Sequence, residues 1–182
     1  MSTSLNLTPI LAIIFHVGAA TAALHDRGSG LIYDDVLNIT WLQDANYYAA
    51  TTPGSSGQLT WQTANTWAEN LTYGGYDDWR LPTLRPADGI AFHPTFSLGQ
   101  VINLATYYGG DLDSGFNITR PTNELAYMFH VTLGNNGAFT AQGTPRPGSS
   151  GQDWGVTNSG PFNLPNLWYW TNVGSVDRKS VV

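Results

Sequence analysis

The stretch that decides the fold is GLIYDDVLNITWLQ, residues 30–43. Two short runs of β-branched, aromatic and aliphatic residues, 31–33 and 39–42, flank a segment that contains Asp34, Asp35 and Asn38. Aspartate and asparagine favour turns because their side chains hydrogen-bond to the nearby backbone. The pattern therefore predicts a β-hairpin with strands at 31–33 and 39–42.

The segment TWQTANTWAENL, residues 60–71, has the spacing of an amphipathic helix. Thr60 is a suitable N-cap, and the pair Gly74 and Gly75 ends the segment. One face carries Trp61, Ala64, Trp67, Ala68 and Leu71. Helical spacing favours core packing for the two tryptophans.

A second helix is predicted over residues 123–133, NELAYMFHVTL. Either Thr122 or Asn123 can cap it, Glu124 suits its first turn, and Gly134 follows its end. The buried stripe of this helix is expected to contain Leu125, Met128, Phe129, Thr132 and Leu133.

The rest of the chain is mostly loop. Residues 100–107 are consistent with a short helical turn, and LWYWT, residues 167–171, predicts a buried strand. The hexapeptide PGSSGQ occurs at 53–58 and again at 147–152, and its Gly/Ser content favours flexible loops. Short strands, two modest helices and long loops indicate an α+β domain whose loops carry the binding surface.

The two ends are expected to lie outside the folded domain. Residues 1–22 resemble a signal peptide: the apolar run 10–17 is too short to cross a bilayer core of about 30 Å, and the Ala20-Thr21-Ala22 triplet resembles a cleavage site. No Lys or Arg precedes the run, so either the signal is weak or the true start lies upstream. The alternative is a buried apolar segment.

Residues 177–182, DRKSVV, are typical of a translated sequencing adapter. The alternative is an ordinary polar tail. With the adapter interpretation, the domain occupies residues 23–176 and is truncated at its C-terminus. The expected location is secreted, extracellular or at the cell surface, with no transmembrane span.

Charge and cysteine content exclude several classes of function. The whole chain carries a formal charge of −6, and residues 23–176 contain five Arg, no Lys and twelve acidic residues. Nucleic acid is an unsuitable partner, because its binding depends on basic side chains that neutralise phosphates. The same repulsion disfavours anionic polysaccharides. The absence of Cys excludes thiol nucleophiles, thiolate metal sites and thiol redox chemistry.

Aromatic residues in the predicted loops are the best candidates for ligand contacts, because flat rings stack on the apolar faces of sugars. Each of them has core packing as its alternative role. The candidate ligand-binding residues are Tyr47 with its neighbour Tyr48, Tyr73, Tyr76, Tyr107 and Tyr108, together with the carboxylates Asp77 and Asp78. Arg80 is also expected to pair with a nearby carboxylate and so to fix the WRLPT junction at residues 79–83.

One candidate metal site is present. Asp111 and Asp113, in the sequence DLDSG, resemble the start of a calcium loop, with alternating oxygen ligands and a glycine for the turn. The distal glutamate of an EF-hand is missing, and a solvated loop is the alternative. No other cofactor is predicted, because neither His93 nor His130 has a partner at zinc-binding spacing.

Three stretches, residues 30–47, 59–83 and 123–135, together resemble the family of the C-terminal domain of the Legionella collagen-like adhesin. Many relatives are secreted proteins with a PEP-CTERM sorting tail. GGYDDWRLPT, residues 74–83, is the most specific piece, and the resemblance extends over roughly residues 26–171. It implies a fold related to C-type lectin-like and sulfatase-modifying-factor domains, an extracellular setting, and adhesion or glycan binding.

The chain departs from this family in two ways. Relatives continue into further strands that end near an aromatic-A-x-R-x-G motif, which is absent here, so an open sheet edge is expected at 31–33 or a neighbouring strand. The adhesin of this family is thought to bind sulfated glycans, which the excess of acidic residues over residues 23–176 disfavours here. As a separate point, sulfatase-modifying enzymes work through cysteine, which this chain lacks, so their activity cannot be transferred to it.

The sequence therefore favours a non-catalytic, secreted binding or adhesion module. Its expected partners are glycans or components of the cell surface or matrix, and self-association into a homo-oligomer stays open. Two alternatives are a self-assembling structural component of an extracellular matrix or appendage, and an enzyme of unknown class on a lectin-like fold.

Overall fold

A computed structural model describes residues 23–91, 108–110, 113, 115–165 and 169–173. Within these residues the chain forms three strands, β1 (Leu24–Asp26), β2 (Leu31–Asp34) and β3 (Ile39–Leu42). Two helices follow, α1 (Tyr47–Thr51) and α2 (Trp61–Glu69). A later helix, α3 (Glu124–Tyr127), continues directly into a π-helical turn (Met128–Thr132). The fold class is α+β and loop-rich, as the sequence predicts.

The predicted hairpin is confirmed. Strands β2 and β3 are antiparallel, with Ile32 opposite Trp41 and Tyr33 opposite Thr40. Asp34 shapes the turn, because its Oδ1 accepts hydrogen bonds from the amides of Val36 (3.1 Å) and Leu37 (3.0 Å). This is the aspartate turn chemistry expected from the sequence.

The sheet has a third strand, β1, which was not predicted from the sequence. It pairs antiparallel with β2, so the sheet order is β1-β2-β3 and residues 31–33 form its centre. In the described part of the chain the outer strands of the sheet are β1 and β3, so the expected open edge does not fall on residues 31–33. After the end of β3, the backbone of Asn163 pairs with the chain. Its amide donates to Gln43 O (2.8 Å), and its carbonyl accepts from Ala45 N (3.1 Å).

Both predicted helices are present, and their caps are the predicted ones. Thr60 Oγ1 accepts from Thr63 N (3.2 Å) at the start of α2. Asn123 Oδ1 accepts from Ala126 N (3.1 Å) at the start of α3. These side chains satisfy amides that have no partner inside the helix.

The sequence predicts one regular helix over residues 123–133, but the structure shows an α-helix only as far as Tyr127. From Met128 it widens, and Leu133 N donates to Met128 O (2.9 Å), the five-residue spacing of a π-helix. Asn135 N then donates to Phe129 O (3.0 Å), while Gly134 adopts a φ of 68°. This left-handed glycine ends the helix where the sequence places its end.

The predicted strand at 167–171 is wrong in its described part, since residues 169–171 form no strand. Their side chains and carbonyls make other contacts. Trp170 Nε1 donates to Leu59 O (3.0 Å), and Thr171 O accepts from Trp61 Nε1 (2.9 Å). The segment is thus held by indole–carbonyl hydrogen bonds across the start of α2 rather than by a strand ladder.

The core lies between the sheet and the helix α3 with its π-helical turn. One cluster of buried residues joins Ile32, Leu125, Met128, Leu133 and Phe162. Leu24, Trp41, Leu164 and Tyr169 pack around this cluster while staying partly exposed. Burial of these side chains gives the described part of the chain one continuous apolar centre.

Several predictions fall on residues outside the described part. These are the signal peptide at 1–22, the helical turn at 100–107, residues 167–168 of the predicted strand, and the tail at 177–182. Among the helices that the structure does describe, none has both the length and the apolar character needed to span a membrane.

His130, in the π-helical turn, gives the first testable prediction. Burial, the principal cause, lowers its pKa below the ordinary 6.5, and the neighbouring Arg146 lowers it further, while its hydrogen bond with Asn135 O (3.1 Å) acts in the opposite sense. As the pH falls, His130 therefore becomes protonated in the unfolded state at a higher pH than in the folded state. His130 stabilises the fold fully above pH 6.5, and this contribution is lost progressively below it.

The measurement is chemical denaturation of the wild type and of His130→Gln between pH 4.5 and 8. The difference between the two free energies of unfolding should change below pH 6.5, with the wild type losing more stability. Parallel pH curves for the two proteins would contradict the assignment.

Candidate functional site: an aromatic cleft

One cleft of about 540 Å³ opens beside β3. We call it the aromatic cleft. It is bordered by β3, α1, α2, the start of α3 and the segment 169–170. Residues 76–82, which include most of the WRLPT junction and are called the junction from here on, complete the border. Its aromatic lining consists of Tyr33, Trp41, Tyr47, Tyr48, Trp67, Tyr76, Trp79, Phe162, Tyr169 and Trp170. This volume lies in the usual range for small-molecule sites, about 300–1,000 Å³.

Helices α1 and α2 supply one wall of the cleft. Tyr48 stands edge-on to Trp67, with ring centroids 5.6 Å apart and planes at 84°. Tyr47 lies 6.5 Å from the same indole and 4.8 Å from Tyr73. Such edge-to-face and tilted pairs hold each ring in one orientation, so the wall is preformed.

The junction after α2 supplies the second wall. Trp79 lies between Tyr73 and Tyr76, 6.4 Å from each ring centroid. Tyr76 is 41% exposed, so much of its ring is free to meet a ligand. Tyr73 sits behind this surface, where its hydroxyl donates to Ser29 O (2.6 Å). Tyr73 therefore supports the wall rather than lining the cleft.

Gly74 allows this junction to approach the sheet. Its φ is 63°, and a Cβ at this position would lie 2.6 Å from Leu31 Cδ1. A larger residue would therefore meet both backbone strain and a steric clash. Gly74 therefore lets residues 74–76, which lead into the second wall, pack closely against the sheet.

The Arg80–Glu124 pair anchors the junction to α3. Arg80 Nη1 and Nη2 donate to the two oxygens of Glu124, each at 2.8 Å, and Glu124 Oε2 also accepts from Thr83 N (2.6 Å). The hydrogen bond with Glu124 raises the pKa of Arg80. The expected carboxylate partner of Arg80 is thus Glu124 of α3 and not its sequence neighbours.

A polar edge lies at the side of the cleft formed by the sheet. The guanidinium carbon of Arg27 lies 4.0 Å from the ring centroid of Tyr33, and Arg27 Nη1 donates to Thr40 Oγ1 (3.0 Å). The hydroxyl of Tyr33 in turn donates to Asn38 Oδ1 (2.9 Å). All four residues line the cleft, and we call them the Arg27 edge.

The structure brings together part of the predicted ligand set. Tyr47, Tyr48, Tyr76 and Asp78 line the aromatic cleft, and Tyr73 packs directly behind it. Asp77 is exposed beside Asp78 but does not line the cleft.

Tyr108 lies in a different aromatic cluster. Its ring centroid lies 5.6 Å from that of Phe116 and 4.8 Å from that of Phe139. Gly143 packs against the same ring, because a Cβ there would lie 2.7 Å from Tyr108 Cδ2. Tyr107, the other predicted tyrosine of this pair, lies outside the described residues.

Only one of the two candidate calcium ligands, Asp113, lies among the described residues. Asp113 is 1% exposed, and its Oδ1 accepts a short hydrogen bond from Ala87 N. Its partner Asp111 lies outside the described residues. Within the described ranges, no three His, Cys, Asp or Glu side chains come close enough together to hold a metal ion.

Two cleft residues have shifted pKa values, and both shifts move away from neutrality. Burial raises the pKa of Tyr169 to about 12, with a smaller contribution from Asp44. Its hydroxyl donates to Pro165 O (2.5 Å). With the guanidinium of Arg80 also held in its charged form, neither group is poised to exchange a proton near pH 7.

Arg27, Asn38 and Trp79 line the cleft but were not predicted from the sequence as ligand contacts. Arg27 has no local sequence signal, because Thr40 lies 13 residues away from it. Trp79 stands in the WRLPT junction, which the sequence marks only as a compact turn.

The fold and the cleft define a small α+β domain with a three-stranded antiparallel sheet and a preformed aromatic recess. No family model, no curated protein and no solved structure matches the chain.

Proposed function

We propose that the chain is a secreted, non-catalytic binding module whose aromatic cleft holds a saccharide. The observation that carries this proposal is the convergence of tyrosine and tryptophan rings from β3, α1, α2, the junction and the segment 169–170 on one cleft. Aromatic rings bind sugars through flat apolar contact, while neighbouring polar groups receive the hydroxyls. A lectin-like ancestry and an extracellular location form part of the same proposal.

Three polar groups of the cleft, those of Arg80, Glu124 and Tyr169, are suited to binding rather than to acid–base catalysis. Arg80 and Glu124 saturate each other, and the phenol of Tyr169 stays protonated at neutral pH. An acid–base enzyme needs at least one group in the site that titrates near its working pH. The shifted groups of this cleft do not meet that requirement.

A self-assembling structural component is the second candidate. It is favoured by β3, which forms an edge of the sheet in the described part of the chain. Edge strands present free amides and carbonyls to other chains. Concentration-dependent sedimentation together with the absence of any saccharide signal would favour this candidate over the first.

The proposal is tested with the full chain on a glycan array, followed by titration calorimetry with the best binder. Tyr76→Ala should weaken binding about five- to tenfold, because it removes the most exposed ring of the cleft. Tyr76→Phe keeps the ring and should bind within about twofold of the wild type.

Val131→Ala serves as a matched control, since Val131 is 40% exposed and does not line the cleft. Its affinity should equal that of the wild type. An array with no saccharide signal, or equal affinities for wild type and Tyr76→Ala, would overturn the proposal.

A further inference from the structure

Two arginines line the aromatic cleft, and their states differ. Arg80 is neutralised, because both terminal nitrogens donate to Glu124 and Nη1 also donates to Leu81 O (3.1 Å). Arg27 is exposed and forms no ion pair with any carboxylate in the part of the chain that the structure describes.

Arg27 is also held in place. Its guanidinium lies over the ring of Tyr33, 4.0 Å from the centroid, and one N–H is fixed on Thr40 Oγ1 at 3.0 Å. Tyr33 is itself fixed, by its position in the central strand and by its hydroxyl bond to Asn38 Oδ1 (2.9 Å). A guanidinium that is already oriented loses little side-chain entropy when it binds a ligand.

The Arg27 edge offers several donors and one positive charge. Arginine carries five N–H donors, of which the bond to Thr40 uses one. The amide oxygen of Asn38 is occupied by Tyr33, which leaves its NH₂ group to donate. Both donor groups contact Tyr33, the guanidinium over its ring and the amide at its hydroxyl. A guanidinium and an amide NH₂ match the charge and the acceptor oxygens of a carboxylate.

We propose that the Arg27 edge is a carboxylate subsite, and that the saccharide of the aromatic cleft carries an acidic sugar. This inference rests on the proposed saccharide function and specifies its ligand. The sugar carboxylate accepts hydrogen bonds from Arg27 and Asn38, while the sugar rings stack along the aromatic walls. The overall acidity of the chain selects against densely charged polymers, so the ligand carries one carboxylate at this point rather than a continuous run of charges.

The test compares uronic-acid and sialic-acid oligosaccharides with their methyl esters, which keep the sugar and remove the charge. Affinities are measured by titration calorimetry on the full chain at 50 and 300 mM NaCl. The wild type should bind the best acid about tenfold more tightly than its ester, and this preference should narrow at high salt. Arg27→Gln should weaken binding of the acid about tenfold and so abolish the preference for the acid over the ester.

Arg85→Gln is the matched control, because Arg85 is exposed and does not line the cleft. It should keep the preference for the acid. Circular dichroism and thermal unfolding of each variant report whether the fold is retained, and Arg27→Lys keeps the charge while losing the planar fork.

The outcomes separate the two proposals. Ester and acid bound equally well, or an acid preference that persists in Arg27→Gln, would overturn the carboxylate subsite and leave the saccharide site intact. No binding of either form, across acidic and neutral sugars, would overturn the saccharide site itself. Tighter binding of a densely sulfated oligosaccharide than of any carboxylate would also overturn the subsite.

Discussion

Replacing Asn135 with alanine should lower the free energy of unfolding by about 3 kcal/mol. Asn135 is 3% exposed and ties the end of the π-helical turn to residues 157–158. Its Oδ1 accepts from Thr157 N (2.9 Å), Thr157 Oγ1 (2.9 Å) and Asn158 N (2.8 Å), and its Nδ2 donates to Asn158 O (2.8 Å). The connection is reciprocal, because Asn158 Nδ2 donates to Leu133 O (2.8 Å).

The cost arises because alanine removes one side chain and leaves three backbone groups without their partner. Each buried polar group left without a hydrogen bond costs about 1–3 kcal/mol, and entry of water at the exposed residues 157–158 reduces the sum. The measurement is urea denaturation at pH 7.5, where protonation of His130 does not change the stability because its pKa lies below 6.5.

Asn136→Ala is the matched control, because Asn136 is the exposed neighbour and offers only its backbone carbonyl, to Gly155 N (2.8 Å). Its stability should lie within about 0.5 kcal/mol of the wild type. Equal losses for the two alanine variants would show that the Asn135 network does not hold this loop.

Replacing Glu124 with alanine should cost about 2–3 kcal/mol of stability. The substitution removes both hydrogen bonds to Arg80 and the bond from Thr83 N, and it also removes the acidic residue in the first turn of α3. Glu124 is 12% exposed, whereas Arg80 is 48% exposed, so solvent screens the ionic part of the interaction.

A double-mutant cycle separates the pair from the rest of the site. Arg80→Met and Glu124→Gln, alone and together, should show a coupling of about 1 kcal/mol, the size expected for a half-exposed bidentate pair. Glu69→Ala, an exposed glutamate at the end of α2, is the control and should change stability by less than about 0.5 kcal/mol. A Glu124→Ala protein as stable as Glu69→Ala would contradict the anchoring role.

The same variant also tests whether the pair shapes the cleft. Residues 79–82 line the cleft and are fixed to α3 through Arg80. Glu124→Ala should therefore weaken ligand binding as well as stability, in contrast to Asn135→Ala, whose side chain lies outside the cleft lining.

The parts of the fold that the sequence predicted are those set by local chemistry. The hairpin follows from two short runs of strand-forming residues and the Asp34 turn, and the two helix starts follow from Thr60 and Asn123 as caps. Each of these signals acts within a few residues, so it is visible without tertiary structure.

The parts that the sequence missed depend on distant partners. Strand β1 is defined by its pairing with β2, in which Leu24 lies opposite Asp34 and Asp26 lies opposite Ile32. The segment 169–171 has the composition of a strand, but Trp61 and Trp170 hold it by hydrogen bonds to carbonyls more than 100 residues away in sequence. β-propensity describes a residue's fit to a pleated surface and cannot detect such a competing partner.

The candidate site was predictable in the same uneven way. Tyr47 and Tyr76 were predicted as sugar contacts because both were expected in loops. The structure places Tyr47 at the start of α1 instead, but both tyrosines line the cleft. Arg27 was not identified, because its value as a donor depends on Tyr33 across the sheet and on the absence of a carboxylate partner in the described residues.

The indole N–H signals of the full chain in ¹⁵N NMR report directly whether the aromatic cleft is the ligand site. The saccharide selected on the array is titrated into the labelled protein. Trp67, Trp79 and Trp170 line the cleft, whereas Trp61 and Trp154 do not. A saccharide bound in the aromatic cleft should give saturable shifts of the first three signals and leave the other two signals at unchanged positions. Shifts confined to Trp154, or a bound saccharide that moves none of the cleft indoles, would contradict it.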